Sequence, residues 1–154
     1  IALFRSLDPD MVGIGPFIAH PHTPLGDGSG MPTRLPPDQI TGDKLMVCKV
    51  MALTRLVCPQ ANIPSTTALA TIDKESGRES GLRRGANVVM PNLTPPTYRR
   101  LYEIYPGKDC ANETAERCHI HLAGRIQALG RHIGTGPGGR RRNGPTAAPC
   151  LPAS

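Results

Sequence analysis

Three side chains in the second half of the sequence have types and spacing suited to metal binding. Cys110, Cys118 and His121 form the pattern Cys-x7-Cys-x2-His. On a helix the last two stand at positions i and i+3, where a thiolate and an imidazole share one face and can converge on iron or zinc. Three ligands are a minimal set, however, and Cys118 also fits a buried apolar stripe. The pattern therefore predicts either an auxiliary metal site or ordinary helix packing.

The remaining cysteines show no such spacing. Cys48, Cys58 and Cys150 have no partner at ligand distance along the chain and are interpreted as core, helix end and tail. The pair His20 and His22 lies in His-Pro-His-Thr-Pro, which is more typical of a rigid loop than of a metal site. An odd number of cysteines without an export signal argues against a disulfide framework and favours a reducing compartment. We therefore expect a soluble, cytoplasmic protein.

Composition limits the classes of protein further. The 154 residues include 2 Phe, 3 Tyr and no Trp, so any core must be mainly aliphatic. No run approaches the roughly 20 apolar residues of a membrane-spanning helix, so we expect no membrane partner. The net charge of +6 is inflated by the run Arg140 to Arg142. That run has no aromatic platform beside it, so nucleic acid is a poorly supported partner. The start at Ile1 without an initiator Met is typical of a fragment.

Strand and helix patterns alternate along the chain. Short apolar runs bounded by Gly, Pro and Asn predict three buried strands, at residues 11–15, 61–66 and 86–91. Residues 43–58 are predicted to form a helix capped by Asp43, and residues 73–84 a second helix interrupted by glycines. Six apolar side chains of the first helix are expected to be available for burial: Leu45, Val47, Cys48, Met51, Leu53 and Leu56. Connections of this length imply right-handed crossovers into a parallel sheet. The predicted class is α/β.

The sequence after the third strand predicts less regular structure. Residues 98–105 favour a turn of helix, and a final amphipathic helix is expected to begin at Asn112 as its cap. Its buried face is predicted from apolar residues three and four positions apart, at Ala115, Cys118, Leu122, Ile126 and Leu129. Residues 134–154 are too rich in Gly, Pro and Arg to pack a core, and are predicted to be disordered.

Three blocks of sequence carry a family resemblance. They are Met-Val-Gly-Ile-Gly-Pro-Phe-Ile at 11–18, Asn-Ile-Pro-Ser-Thr-Thr-Ala at 62–68, and Asn-Val-Val-Met-Pro-Asn-Leu-Thr-Pro at 87–95. The last is followed by Tyr-Arg-Arg-Leu-Tyr at 98–102 and Tyr-Pro-Gly-Lys at 105–108. With these blocks, most of residues 8–130 resembles the C-terminal portion of the radical S-adenosylmethionine (SAM) enzymes that mature FeFe-hydrogenases.

The resemblance implies both a fold and a reaction. Residues 1–109 would supply strands six to eight of a (β/α)8 TIM-type barrel with the region shared by biotin and thiamine synthesis enzymes. Residues 110–133 would form the C-terminal helix and 134–154 the basic tail. The whole enzyme would use a 4Fe-4S cluster to cleave SAM and act on a small organometallic or sulfur-containing substrate, alongside other hydrogenase maturation proteins. The Cys-x3-Cys-x2-Cys motif that holds this cluster is absent here, so the chain is expected to be inactive alone.

The same resemblance implies a set of cavity residues. Met11, Thr66, Thr67 and Met90 would line the substrate cavity, since barrel enzymes carry their sites at the carboxyl ends of the strands. The alternatives are plain packing for the methionines and local backbone hydrogen bonds for the threonines. Some family members bind an auxiliary iron-sulfur cluster through three cysteines, where this chain has His121 as the third residue. Two other functions stay open: another radical SAM synthase of the biotin or thiamine type, and a non-catalytic metal-binding module.

Overall fold

The computed structural model describes residues 1–29, 37–99, 101, 102, 104, 106–108 and 114–140. In chain order the elements are α1 (Ala2–Leu7), α2 (Lys44–Val57), β1 (Pro64–Ser65), α3 (Thr67–Ile72), α4 (Gly77–Arg83), β2 (Val88–Val89), α5 (Pro96–Arg99) and α6 (Ala115–Ala128). None of the helices within these ranges has the length and apolar character needed to cross a membrane.

The strands are parallel and follow one another in chain order. Pro64 pairs with Val88 and Ser65 with Val89, while Met11 forms a parallel bridge to Asn62. The parallel α/β arrangement predicted from the sequence is therefore present. The paired segments are shorter than predicted, because Pro64 has no N–H to donate and the Ile63 N–H donates to the Asn87 side chain. The described strands form a two-stranded sheet, and the barrel assignment stays a prediction.

Helix α2 forms where the sequence predicts it. Asp43 is its cap and accepts a hydrogen bond from the Met46 N–H at 2.8 Å. Of the six side chains expected to be available for burial, Val47, Cys48 and Met51 are buried, together with Thr54. The other three are exposed and correct the prediction: Leu45, Leu53 and Leu56. They fall outside the stripe that α2 turns towards the described core.

The second predicted helix is shorter than expected, because α4 begins only at Gly77. A further helix, α3, lies just before it and is capped by Thr66, where the sequence predicted no helix. Gly77 and Gly81 are not helix interruptions, because both lie where another backbone or side chain approaches closely. A Cβ on Gly77 would lie 2.4 Å from the Leu69 carbonyl oxygen, and one on Gly81 would lie 2.4 Å from Ser65 Oγ. The glycines allow α4 to pack directly on α3 and β1.

The last two helices agree with the sequence except at their ends. Helix α5 begins at Pro96, two residues before the predicted turn, because proline is favoured in the first turn of a helix. Helix α6 buries Cys118, Leu122 and Ile126, as the spacing predicts. Its cap is Thr114, which accepts from the Arg117 N–H at 3.3 Å, and not Asn112, which lies outside the described residues.

The core lies where α2, α3, α4 and α6 meet the strands. It contains aliphatic side chains and one Met, as the scarcity of aromatic residues predicts: Val47, Met51, Ile63, Leu69, Leu82, Ala86 and Ile126. A charge pair between Arg125 of α6 and Glu79 of α4 holds α6 against this core. Arg125 Nη2 also donates to the Glu75 carbonyl at 3.0 Å. Helix α1, which no sequence pattern predicted, packs on α2.

The chain after α6 returns to the amino-terminal ends of the strands. Gly138 accepts a hydrogen bond from the Asn62 side chain at 3.0 Å, and Arg140 donates to the Asp8 carbonyl at 2.8 Å. These contacts fall within the first part of the predicted disordered tail. Residues 141–154 lie outside the described residues.

Candidate functional site

The carboxyl ends of the strands meet at one edge, which we call the carboxyl edge. Parallel pairing brings the end of the first strand segment, near Gly15, beside the end of β1. A Cβ on Gly15 would lie 2.9 Å from Thr66 Oγ1, so the two chain segments touch there. Met90 directly follows β2. Three of the four predicted cavity residues, Thr66, Thr67 and Met90, thus follow strand ends at this edge.

Thr66 and Thr67 are placed by the start of α3. Thr66 is the cap, and its Oγ1 accepts from the Leu69 N–H at 3.2 Å. This is the local backbone hydrogen bond that the sequence left open as an alternative. Thr67 is the first helical residue, and its carbonyl accepts from Thr71 Oγ1 at 2.9 Å. Both threonines are half-buried.

The two methionines lie at different heights along the strands. Met90 is 48% exposed beside the carboxyl edge. Met11 is 54% exposed, but it pairs with Asn62. Asn62 lies four residues before Thr66, or roughly 13 Å at 3.3 Å per strand residue. The exposure does not fit the alternative of plain core packing for either side chain. The structure brings Met90 to the threonines' edge, whereas Met11 lies nearer the opposite ends of the strands.

The predicted metal ligands lie on and before α6. Cys118 is fully buried on the same face as Leu122 and Ile126, and His121 is exposed one turn further on. Cys110 lies outside the described residues. Within those residues, no three His, Cys, Asp or Glu side chains are grouped as they would be around a metal ion. The packing of Cys118 agrees with the alternative of a buried helix stripe, while the complete Cys110, Cys118, His121 site stays a prediction.

The remaining predicted ligand types have local roles. Cys48 is buried in α2 and Cys58 is half-buried at its end, as free thiols. The His20 Nδ1 accepts from the His22 N–H at 3.1 Å, and Thr23 Oγ1 donates to the His20 carbonyl at 2.8 Å. These bonds form a tight turn, which agrees with the rigid-loop interpretation of this histidine pair.

Arg99 is a residue at the carboxyl edge that the sequence did not single out. It is 5% exposed on α5. Its Nη2 donates to the Asn92 carbonyl at 2.8 Å and its Nε to the Thr94 carbonyl at 2.5 Å. The guanidinium therefore fixes the loop that follows β2 and Met90. Arginine is suited to this because its planar fork can bond two carbonyls at once. The sequence feature that could have pointed to Arg99 is its position inside the block Tyr-Arg-Arg-Leu-Tyr, which follows the blocks that carry the family resemblance.

The amino-terminal ends of the strands, which we call the amino edge, border a groove of about 1350 Å³. Its walls come from β2, α6 and residues 131–139, and Met11 belongs to its lining whereas the other predicted cavity residues do not. Arg55 lies in the groove wall and donates from Nε to the Gly85 carbonyl at 2.8 Å. Burial, together with the nearby positive charge of Arg131, lowers the pKa of Arg55 below its usual value. Sequence patterns gave no indication of this groove.

The chain was compared with protein-family models and with known proteins. No protein-family model matches the chain. The chain is nevertheless homologous to a hydrogenase maturase along nearly its whole length. That relative is the [FeFe] hydrogenase maturase subunit HydE of Thermotoga maritima, to which it is 48% identical over 142 residues, or 92% of the chain. The match lies in the C-terminal portion of HydE and spans 37% of its length. The resemblance drawn from the three sequence blocks is therefore confirmed.

Proposed function

We propose that this chain supplies the C-terminal part of the substrate cavity in a radical SAM enzyme of hydrogenase maturation. The observation that carries the proposal is the 48% identity to HydE over 92% of the chain. The parallel order of the strand segments supports it, because three of the four residues predicted to line the cavity, Thr66, Thr67 and Met90, follow consecutive strands at one edge. Such an edge is where parallel α/β proteins place their sites.

The proposed barrel would extend the described sheet on both sides. β1 lies between the first segment and β2, so each outer segment has one edge that faces no strand within the described residues. Strands elsewhere in a longer protein would cover these edges, and the three segments would then be strands six to eight. The exposed leucines of α2, Leu53 and Leu56, fit a helix whose outer neighbours lie in the same longer protein.

The residues of this chain do not fit the ligand set of the catalytic 4Fe-4S cluster. Cys48 and Cys58 belong to α2 and its end, and Cys118 belongs to α6, so these three cysteines do not share one loop. None of the five cysteines forms the Cys-x3-Cys-x2-Cys motif. The cluster and SAM would therefore be held outside this chain. An auxiliary cluster or single metal at Cys110, Cys118 and His121 remains part of the proposal.

The proposed substrate is a small organometallic or sulfur-containing molecule. Thr66 and Thr67 would donate hydrogen bonds from their hydroxyls to a polar or anionic substrate group. Met90, half exposed at the same edge, would offer a soft, polarizable wall. Arg99 supports this wall by holding the loop that follows Met90. We place the reaction in the cytoplasm, with other maturation proteins as partners.

A chimera tests this function. The C-terminal portion of a HydE-type maturase is replaced by this chain, and hydrogenase activity is measured in cells that lack their own maturase. We expect maturation by the chimera, and a loss of roughly tenfold in Thr67→Val, because a substrate group would lose its hydrogen-bond donor. SAM cleavage should continue in Thr67→Val, since the residues that hold the cluster lie elsewhere.

The matched control is Thr97→Val, because Thr97 is exposed on α5 and should tolerate the change. A folded chimera that cleaves SAM but matures no hydrogenase would overturn the proposal and favour another radical SAM synthase. Equal losses in Thr67→Val and Thr97→Val would remove the assigned role of the Thr67 hydroxyl.

A further inference from the structure

Residues 131–140, which we call the strap, cross the amino edge of all three strand segments. Arg131 Nη1 donates to the Ala86 carbonyl at 3.1 Å, just before β2. Gly138 accepts from Asn62 Nδ2 at 3.0 Å, just before β1. Arg140 contacts Asp8 and Pro9, just before the first segment. The strap thus meets the three segments in the reverse of their order in the chain.

At the end of the strap, both terminal nitrogens of the Arg140 guanidinium have partners, whereas its buried Nε has none within the described residues. The side chain is 11% exposed, although it lies in the segment predicted to be disordered. Nη1 donates to the Asp8 carbonyl at 2.8 Å and to the Pro9 carbonyl at 3.2 Å. Nη2 forms a charge pair with the Asp8 carboxylate. Hydrogen bonds from a charged donor are stronger than neutral ones, and this side chain makes several of them.

The middle of the strap is tied to a small asparagine network. Asn62, which donates to Gly138, accepts at Oδ1 from Asn87 Nδ2 at 3.0 Å. Asn87 Oδ1 in turn accepts from the Ile63 N–H at 2.8 Å. Gly138 has a φ of 67°, in the left-handed region that favours glycine. The strap backbone therefore takes a conformation at Gly138 that presents its carbonyl to the strand ends.

The strap also forms one wall of the groove at the amino edge. Residues 131–139 belong to its lining, together with Met11, Val88 and Val89. No acidic side chain belongs to the described lining, which includes Arg55, Arg131, His119 and His132. Moving the strap would therefore open a cationic groove along the strands to solvent.

We propose that the strap is a closing device and that Arg140 is its latch. The latch holds residues 131–139 across the amino edge, and release of Arg140 opens the groove while the helices stay folded. This follows from the distribution of contacts: the strap is held by side-chain bonds at three points, whereas the hydrophobic core includes no residue after Leu129. The proposal concerns the chain itself and is independent of the hydrogenase function.

Site-resolved trypsin cleavage tests the latch. Trypsin must bind the Arg131 side chain in its specificity pocket, so cleavage after Arg131 requires this side chain to leave the Ala86 carbonyl. The cleavage rate then follows the population of the open form. We expect this rate to rise roughly tenfold in Arg140→Ala, since charge-assisted hydrogen bonds are lost. Arg140→Lys should give a smaller rise, because one ammonium keeps the charge but not the planar fork. Gly138→Ala should also accelerate cleavage through backbone strain.

Two references separate opening of the strap from loss of the fold. Arg83→Ala changes an exposed arginine at the end of α4 and should leave cleavage after Arg131 unchanged. Amide exchange at Met51, in the fully buried part of α2, should be the same in wild type and in Arg140→Ala. The proposal is overturned if Arg140→Ala leaves cleavage after Arg131 at the wild-type rate. It is equally overturned if the faster cleavage comes with faster exchange at Met51.

Discussion

Two helical glycines should respond in opposite directions to the same substitution. Gly81 lies within α4 and Gly124 within α6, so helix propensity alone predicts that alanine would stabilise both helices. Their surroundings differ. A Cβ on Gly81 would lie 2.4 Å from Ser65 Oγ and 2.9 Å from Ser65 Cβ, whereas a Cβ on Gly124 would meet nothing within 4 Å. We therefore expect Gly81→Ala to destabilise the protein and Gly124→Ala to stabilise it.

The size of each effect follows from two opposing contributions. Alanine gains about 1 kcal/mol over glycine in a helix interior. Overpacking a close contact costs about 1–3 kcal/mol. Gly81→Ala falls at the upper end of that cost, because Ser65 is fully buried and its hydroxyl donates to the Arg78 carbonyl at 2.9 Å. The expected net change is a loss of about 1–2 kcal/mol for Gly81→Ala and a gain of about 0.5–1 kcal/mol for Gly124→Ala.

Urea unfolding followed by circular dichroism measures both changes as shifts in the midpoint at constant slope. A double variant, Gly81→Ala with Ser65→Ala, provides the internal check. Removing Ser65 Oγ relieves the shortest contact, so the combined loss should be smaller than the sum of the two single losses. Stabilisation by Gly81→Ala would refute the packing of α4 on β1. Strict additivity in the double variant would show that Ser65 is not the obstructing side chain.

Two further predictions concern a charge pair and the core. The hydrogen bond from Lys44 holds the pKa of Asp73 below its usual value of 3.8, and hydrogen bonds from Ser76 each add a smaller effect in the same direction. The ionised carboxylate then stabilises the fold above about pH 4 and loses this effect as the pH falls. Asp73→Asn should flatten the decline of the unfolding free energy in acid, and an unchanged decline would contradict the pairing. Met51→Ala should cost about 3 kcal/mol because Met51 is fully buried, and Leu56→Ala, 78% exposed, less than about 0.5 kcal/mol, both by urea unfolding.

Local signals in the sequence were sufficient for features that depend on neighbouring residues. Asp43 caps α2 as its residue type predicts, and the spacing of Cys118, Leu122 and Ile126 identifies the buried face of α6. Such features depend on hydrogen bonds and side chains within one or two turns of the same helix. Gly81 shows the limit: its neighbour Ser65 is distant in the chain, so the sequence could show only a poor helix former.

The candidate site was predicted through the family resemblance and not through residue patterns. Thr66 is an ordinary helix cap by its hydrogen bond to Leu69, and only its place at the carboxyl edge suggests a further role. Arg99 and the groove at the amino edge could not be found from the sequence. Arg99, and the groove residues Arg55 and Arg131, donate hydrogen bonds to backbone carbonyls. Every residue type has a backbone carbonyl, so the sequence does not show which residues accept these bonds.

The contact between Arg140 and Asp8 also sets an order of events during synthesis. The two residues are 132 positions apart, whereas Asn62 and Asn87, which join β1 to β2, are separated by 25. On the ribosome the asparagine pair is available long before residue 140 has been added. The strands can therefore pair while the amino edge is still open. The contact between Asp8 and Arg140 forms last, because Arg140 is synthesised long after Asp8.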